Sequence, residues 1–223
     1  MNAIVDFFNL VVFTAFGVPV TLLEVFGFVT GGLCVWAVAK QYKWNWYVGS
    51  ANGVAFAFLF FEVGLYADAF LQLIFIAMNI FGVIAWTFGG KNGKNTLRVR
   101  NVFGKELAIL LPLIAVATVG VALFLHTQTD STVYWIDATV LTLSILATYG
   151  QAKKIVESWY VWIVVDVISI PLYFYKGLVL TALLYGVFLT LCIIGLVKWR
   201  KDLDRGTELP EQELGTKEAV ALA

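Results

Sequence analysis

The sequence predicts an all-α polytopic membrane protein, and three observations support this fold class. Of the 223 residues, 61% are hydrophobic and 13% are charged, whereas a soluble domain carries about 25% charged residues. Apolar runs of about 20 residues recur along the chain, and each is long enough to cross the hydrocarbon of a bilayer as a helix. These runs do not alternate in polarity as the strands of a membrane barrel would. The third observation is an internal repeat.

Residues 159–199 repeat residues 46–86 without a gap, at a spacing of 113 positions. Fourteen of the 41 aligned positions are identical. Matches of Leu and Val weigh little, because apolar helices resemble one another by composition. The matches that weigh most are Trp46 with Trp159, Gly64 with Gly177, Gly82 with Gly195, and Trp86 with Trp199. We therefore interpret the two segments as copies of one unit.

The elements follow in order along the chain. The stretch 4–18 is apolar but short and is followed by Pro19, so it is either a brief span or a helix at the surface. Seven longer helices are predicted at about 21–41, 46–62, 66–88, 105–126, 133–155, 159–175 and 178–199. The predicted parts are a short N-terminal helix (1–20), a three-helix repeat (21–88), a basic loop with a linker helix (89–132), a second three-helix repeat (133–199) and a polar, disordered tail (200–223).

The distribution of positive charge predicts the orientation. If every helix from residue 21 onward crosses the membrane, fourteen of the fifteen Lys and Arg residues fall on one side, and Lys176 falls on the other. Such an excess marks the cytoplasmic side, so the C-terminus is predicted to be cytoplasmic. No Lys or Arg precedes Lys40, and we expect no signal peptide. A unit of three crossing helices ends on the opposite side of the membrane from where it began. One linker helix returns the chain to the starting side, so the two repeats are predicted to be parallel, in a 3+1+3 plan.

Polar side chains near the middle of the predicted helices are the candidate functional residues. A central carboxylate such as Asp166 costs about 2.5–3.5 kcal/mol even on a lenient insertion scale, unless it faces the bundle or a cavity. Trp162, Ser169 and Tyr173 fall on the same helical face as Asp166. Amides near mid-depth are Asn52, Gln72 and Asn79, of which the last two lie two turns apart on one face.

These polar residues are not shared by the two copies. Asp166 aligns with Gly53, and Gln72 aligns with Tyr185. A nearly symmetric frame with an asymmetric polar set is what binding of an asymmetric solute would require. The alternative for the three amides is hydrogen bonding between helices, which contributes about 0.6–2 kcal/mol each. The four repeated tryptophans are also explained by the aromatic belt at the membrane interface.

Two long stretches carry a resemblance to a known family. They are LYADAFLQ (65–72) in the first copy and ESWYVWIVVDVISIPLYFYKGL (157–178), followed by TALLYGVF (181–188), in the second; each copy ends in Gly and Trp, at 82 and 86 and at 195 and 199. Over about residues 30–200 the sequence resembles the PnuC family of bacterial vitamin B3 transporters. That family is similar in its 3+1+3 plan to the SWEET sugar transporters.

The resemblance implies facilitated diffusion of nicotinamide riboside through the bacterial inner membrane, with trapping by a separate cytoplasmic kinase. The pyridinium ring is a flat cation that suits a Trp face and a carboxylate, which Trp162 and Asp166 offer. The amides and a phenol suit the ribose and carboxamide. The expected substrate-binding set is Trp162, Asp166, Asn52, Gln72, Asn79, Tyr185, Trp159, Trp46, Ser169 and Tyr173. We also expect a homo-oligomer, for which a trimer is one option.

Other classes fit less well. A carrier of an uncharged sugar or of another vitamin such as thiamine could use the same frame, but a sugar gives no reason for Asp166. A rhodopsin needs a lysine deep in its last helix, and none lies within 178–197. We expect no enzyme, cofactor or metal, because Cys34, Cys192 and His126 form no metal-like spacing and no paired catalytic groups lie near mid-depth.

Overall fold

The computed structural model describes residues 7–8, 10–15, 17–62, 66–89, 97–129, 132–175 and 179–208. Within these ranges the chain forms a two-stranded antiparallel sheet and seven helices. The strands are β1 (Val11–Ala15) and β2 (Val18–Thr21). The helices are α1 (Leu22–Ala39), α2 (Asn45–Glu62), α3 (Tyr66–Phe88), α4 (Gly104–Gln128), α5 (Tyr134–Ala152), α6 (Ser158–Tyr175) and α7 (Val179–Glu208). The seven helices predicted from residue 21 onward are therefore confirmed.

Four of these helices contain stretches long and apolar enough to cross a membrane. They are Ala69–Phe88, Gly104–Gln128, Ser158–Tyr175 and Val179–Arg205, and a shorter apolar helical stretch covers Val25–Ala39. The protein is thus a multi-pass, predominantly helical membrane protein.

The predicted N-terminal helix (1–20) is wrong over residues 11–15 and 18–20, which lie in the paired strands β1 and β2. Val and Thr recur in both strands and Phe13 lies in β1, and such side chains favour extended backbone. Gly17 lies between the strands with φ of 80°, a conformation that glycine adopts without steric cost. The apolar composition of this stretch suggested a helix, but its β-favouring residues and the turn at Gly17 produce a hairpin. The matching glycines Gly64 and Gly177 and the start of the N-terminal stretch, 1–6, lie outside the described residues.

The predicted disordered tail is wrong for residues 200–208, because α7 continues to Glu208. Asp202 in this extension accepts a 2.8 Å hydrogen bond from the side chain of Gln41. The extension is therefore tied to the end of α1. Residues 209–223 lie outside the described part of the chain.

The helices pack in two corresponding sets. α2 packs on α3 and α6 packs on α7, while α1 packs on α7 and α3 packs on α5. α4 contacts α5 and is otherwise largely exposed. We call the end of the bundle at which α1 and α5 finish the basic end, because it carries Lys40, Lys43, Lys153 and Lys154.

The core at the basic end is built from the four repeated tryptophans. Trp46 meets the edge of Trp86 at 5.4 Å between ring centroids, and Trp159 meets Trp199 at the same distance. The interplanar angles are 88° and 89°, an arrangement that aromatic quadrupoles favour. Trp46 lies against Gly82, and Trp159 lies against Gly195, where a larger residue would leave no room for the ring.

Two hydrogen bonds cross between the halves at this core. The indole N–H of Trp86 donates to the carbonyl of Gln151 at 3.0 Å, and that of Trp199 donates to the carbonyl of Val38 at 3.3 Å. Both acceptors lie in the last turn of a helix, where carbonyls lack helical partners. Each carbonyl also accepts a backbone N–H of its own half, from Gln41 and Lys154, so each half adds a second hydrogen bond to a helix end of the other.

One contact between α4 and α5 gives a direct stability test. The hydroxyls of Thr118 and Thr142 lie 2.7 Å apart, and each also bonds to a carbonyl of its own helix. We expect Thr118→Val and Thr142→Val to show a coupling free energy of about 0.6 kcal/mol in a double-mutant cycle, as is usual for hydrogen bonds between membrane helices. Thermal or denaturant unfolding in detergent measures it. Thr127→Val, whose hydroxyl bonds within α4, should show no coupling to Thr142→Val.

Candidate functional site

A cavity of about 790 Å³ lies toward the end of the bundle opposite the basic end. α1, α2, α3, α6 and α7 form its walls, and Phe13 and Val20 of the β1–β2 hairpin also line it. Most of the lining is apolar, with the rings of Phe28, Phe56 and Phe188 among the largest groups. A largely apolar cleft with a few polar groups is the usual form of a small-molecule site.

Four residues predicted from the sequence line this cavity. They are Asn52, Gln72, Tyr173 and Tyr185, and Thr181 joins them. The amide of Asn52 donates to the hydroxyl of Thr30 on α1, which holds its side chain toward α1. The rings of Tyr173 and Tyr185 lie 5.0 Å apart. Because Gln72 and Tyr185 are aligned positions of the two copies, the same place in each half faces the cavity with a different chemical group.

Asp166 and Ser169 lie directly behind the tyrosines. The Tyr185 phenol is close to both Asp166 and Ser169, and the Cys192 thiol is beside Asp166. Asp166 is 1% exposed and Ser169 is 0% exposed. Together with Trp162 and Tyr173 they form one face of α6, as the helical spacing predicted.

Three polar atoms on this face have no hydrogen-bond partner in the described part of the chain. They are Nε1 of Trp162, Oδ2 of Asp166 and Oγ of Ser169. An unsatisfied buried polar group costs about 1–3 kcal/mol, and more when it is charged. Native proteins rarely leave such groups unexplained. None of these three residues lines the cavity directly: Asp166 and Ser169 adjoin Tyr185, which does, and Trp162 packs against the tryptophan core at the basic end. Asp166 and Ser169 are therefore the two that polar groups of a solute could reach from the cavity.

The remaining predicted site residues lie elsewhere. Asn79 packs against Gly49 of α2, on the side of α3 that faces its hairpin partner. Trp46 and Trp159 are buried in the core at the basic end, although their indole nitrogens also lack partners among the described residues. In this conformation these three residues support the frame and do not line the cavity.

Sequence reasoning missed Thr181, Thr30 and the hairpin residue Phe13. Thr181 could have been found, because it lies one helical turn before Tyr185 on the same face. Thr30 lies mid-helix like many structural threonines, which bond to their own backbone. Phe13 carries no signal, since its position depends on the unpredicted hairpin. Among the described residues, no group of three or more His, Cys, Asp or Glu side chains could hold a metal.

Comparison with known proteins places the chain among transporters. Residues 21–201 match the family described as nicotinamide mononucleotide transporter. The chain is 26% identical over 208 residues to the nicotinamide riboside transporter PnuC of Escherichia coli (strain K12), covering 82% of this chain and 87% of the relative. It is also 26% identical over 196 residues to the riboflavin/roseoflavin transporter RibM of Streptomyces davaonensis, covering 87% and 92%.

A solved structure has the same fold. The crystal structure of the vitamin B3 transporter PnuC matches with a TM-score of 0.62 and 24% identity, covering 81% of each chain. The family match extends from α1 into α7 and includes the five helices that wall the cavity, but not the hairpin residues Phe13 and Val20. On this basis the chain belongs to the nicotinamide mononucleotide transporter family.

Proposed function

We propose that the protein carries nicotinamide riboside across the bacterial inner membrane by facilitated diffusion. The observation that carries this proposal is the buried carboxylate of Asp166, which has an unpaired oxygen and lies behind Tyr185, a residue of the cavity wall. A carboxylate in an apolar surrounding favours a cationic solute, because the ion pair that forms is attracted in a medium of low dielectric constant. Nicotinamide riboside carries a permanent positive charge on its pyridinium ring.

The other polar groups suit the rest of this molecule. Trp162 offers a ring face to the cation, an attraction of about 2 kcal/mol or more when water is excluded. Asn52, Gln72 and Thr181 offer donors and acceptors for the ribose hydroxyls and the carboxamide. The paired rings of Tyr173 and Tyr185 supply a flat wall. In this proposal Asn79, Trp46 and Trp159 join the site when the bundle changes conformation.

We infer that the chain is built from two parallel three-helix repeats joined by α4, in the 3+1+3 plan of SWEET transporters. The matching Trp–Trp contacts and the reciprocal indole bonds to Gln151 and Val38 support this plan. Val38 and Gln151 are themselves 113 positions apart, as are Trp86 and Trp199. A contact that is repeated at the same offset is expected of duplicated units and not of unrelated helices.

The basic end is proposed to be cytoplasmic, with the C-terminus on that side, because positive charge is retained there. The cavity then lies nearer the outer face. A uniporter only equalises concentrations, so net uptake would require a cytoplasmic kinase to phosphorylate the riboside. A homo-oligomer is also part of this proposal; native mass measurement in a bilayer mimic tests it.

A flavin carrier is the second candidate, since RibM is as similar in identity as PnuC of E. coli. The two candidates differ in charge, because the isoalloxazine ring is neutral at pH 7 and needs no carboxylate. Calorimetry on purified protein with nicotinamide riboside, nicotinamide, riboflavin, thiamine and glucose separates them. Tightest binding of the riboside is expected. If riboflavin binds and the riboside does not, the proposed substrate is wrong.

Trp162→Ala tests the aromatic part of the site. We expect about 30-fold weaker riboside binding, which corresponds to about 2 kcal/mol of lost cation–π attraction. Trp135→Ala removes a half-exposed indole at the start of α5 and should leave affinity unchanged. Equal riboside affinity in Trp162→Ala and wild type would remove this residue from the site.

A further inference from the structure

Lys154 and Gln41 meet at the basic end across the boundary between the two copies. Gln41 follows the last turn of α1, and Lys154 follows the last turn of α5, at aligned positions. The ammonium of Lys154 donates to Oε1 of Gln41 at 2.8 Å. Gln41 in turn donates from Nε2 to Oδ2 of Asp202 on α7, also at 2.8 Å. A chain of three polar side chains therefore links the ends of α1, α5 and α7.

These three hydrogen-bonded side chains cover the tryptophan core. The Lys154 ammonium lies 4.8 Å from the centre of the Trp86 ring, and the Trp86 and Trp199 rings lie 6.3 Å apart. Lys154 is only 8% exposed. The basic end is therefore closed by contacts between the two halves, while the cavity lies on the other side of the same core.

The groups around Lys154 do not fully replace the water that it has lost. The pKa of Lys154 is lowered to about 8, chiefly by burial and also by nearby Lys43, while Asp202 opposes the change. The segment before α4 also packs here: the Arg100 backbone bonds to the backbone of Lys154 and Val156. The Arg100 guanidinium, a second cation carried by this segment, is paired with Glu106 at 2.7 Å, so the Glu106 carboxylate is already engaged and is not the partner of Lys154.

We propose that Gln41 and Lys154 form the cytoplasmic gate of the transport path, and that hydration of the Lys154 amine favours its opening. The inference rests on the proposed transport function. Separating the halves at the basic end would break the bond to Gln41 and expose the ammonium to water. When the basic end is closed, the charged amine of Lys154 is buried, and this burial costs free energy. The closed state is therefore only slightly more stable than the open one. A neutral apolar side chain of similar length would remove that cost.

The test is Lys154→Met. We expect riboside uptake into proteoliposomes to fall at least tenfold, while riboside binding to purified protein stays within about threefold of wild type. Amide hydrogen exchange at residues 41–42 and 154–155 should slow at least tenfold, since the gate opens less often. The matched control is Lys153→Met, whose amine lies over Phe81 and not over Trp86; its uptake and exchange should stay within twofold of wild type.

The conservative variant Lys154→Arg keeps a cation and should restore uptake to within about threefold. pH gives an independent readout. With a pKa of about 8, the charged fraction of Lys154 falls about fourfold between pH 6.5 and 8.5, so initial uptake by wild type should fall by up to that factor. Uptake by the Met and Arg variants should be flat over this range, because neither side chain titrates there.

Several results would overturn the gate. They are unchanged uptake or unchanged exchange in Lys154→Met, a loss of binding parallel to the loss of uptake, or the same pH profile in Lys154→Arg and wild type. Hydrogen exchange does not depend on the solute. If wild type neither binds nor takes up the riboside, the proposed substrate fails while the exchange comparison still decides the gate.

Discussion

Replacing Asp166 with Asn is expected to weaken nicotinamide riboside binding by about 30-fold or more, while the protein stays folded. The two side chains have nearly the same size, so the change removes the charge and little else. Truncating one member of a buried charge pair costs about 2–5 kcal/mol, and 2 kcal/mol corresponds to about 30-fold in affinity. In the empty protein the carboxylate has an unpaired oxygen and is 1% exposed. Thermal stability without ligand should therefore stay the same or rise.

The opposite directions of the two effects distinguish binding from structural support. Calorimetry gives the affinity, and thermal unfolding in detergent gives the stability. Asp204→Asn makes the same chemical change on the exposed end of α7, away from the cavity, and should leave riboside affinity unchanged. Nicotinamide, which lacks the positive charge, should lose much less affinity than the riboside. A riboside affinity in Asp166→Asn equal to that of wild type would contradict the proposed role.

The helices and the polar face of α6 could be predicted because they depend on local pattern. A bilayer imposes a minimum apolar length, so the runs around α3, α4 and α7 are visible from composition. A helix has a fixed periodicity, so Asp166, Ser169 and Tyr173 had to share a face. Burying a carboxylate costs free energy, so the position of Asp166 indicated which face of α6 is directed away from lipid.

The rest depends on rotation and on contacts between distant segments. Gln72 and Asn79 share one face of α3, yet Gln72 lines the cavity and Asn79 packs against Gly49. Over the two turns between these residues, the surroundings of this face of α3 change from the cavity to α2. The periodicity of the sequence gives the face of a helix but not what packs against each part of it. The β1–β2 hairpin was missed because its apolar residues satisfy a helix pattern as well as a strand pattern. The bond between Gln41 and Lys154 joins two loops that the sequence separates by a whole repeat.

Gly195→Ala is expected to destabilise the protein by about 1–3 kcal/mol, the usual cost of an overpacked core. A Cβ at this position would lie 2.5 Å from Cη2 of Trp159. Trp159 is completely buried and is held at its other edge by Trp199, so the ring has no free space to enter. For a chain of this size such a loss lowers Tm by roughly 2–12 °C. Thermal unfolding of detergent-purified protein measures it.

Gly186→Ala is the matched control, because it lies on the same helix and its Cβ would meet nothing within 4 Å. There the higher helix propensity of Ala should stabilise by about 0.5–1 kcal/mol. Adding Trp159→Phe to Gly195→Ala should recover part of the loss, since the smaller ring leaves room for a methyl group. Gly82→Ala should cost a similar amount, because Trp46 is placed against Gly82 as Trp159 is against Gly195. A loss at Gly195 with none at Gly82 would show that the two halves do not depend on the same packing.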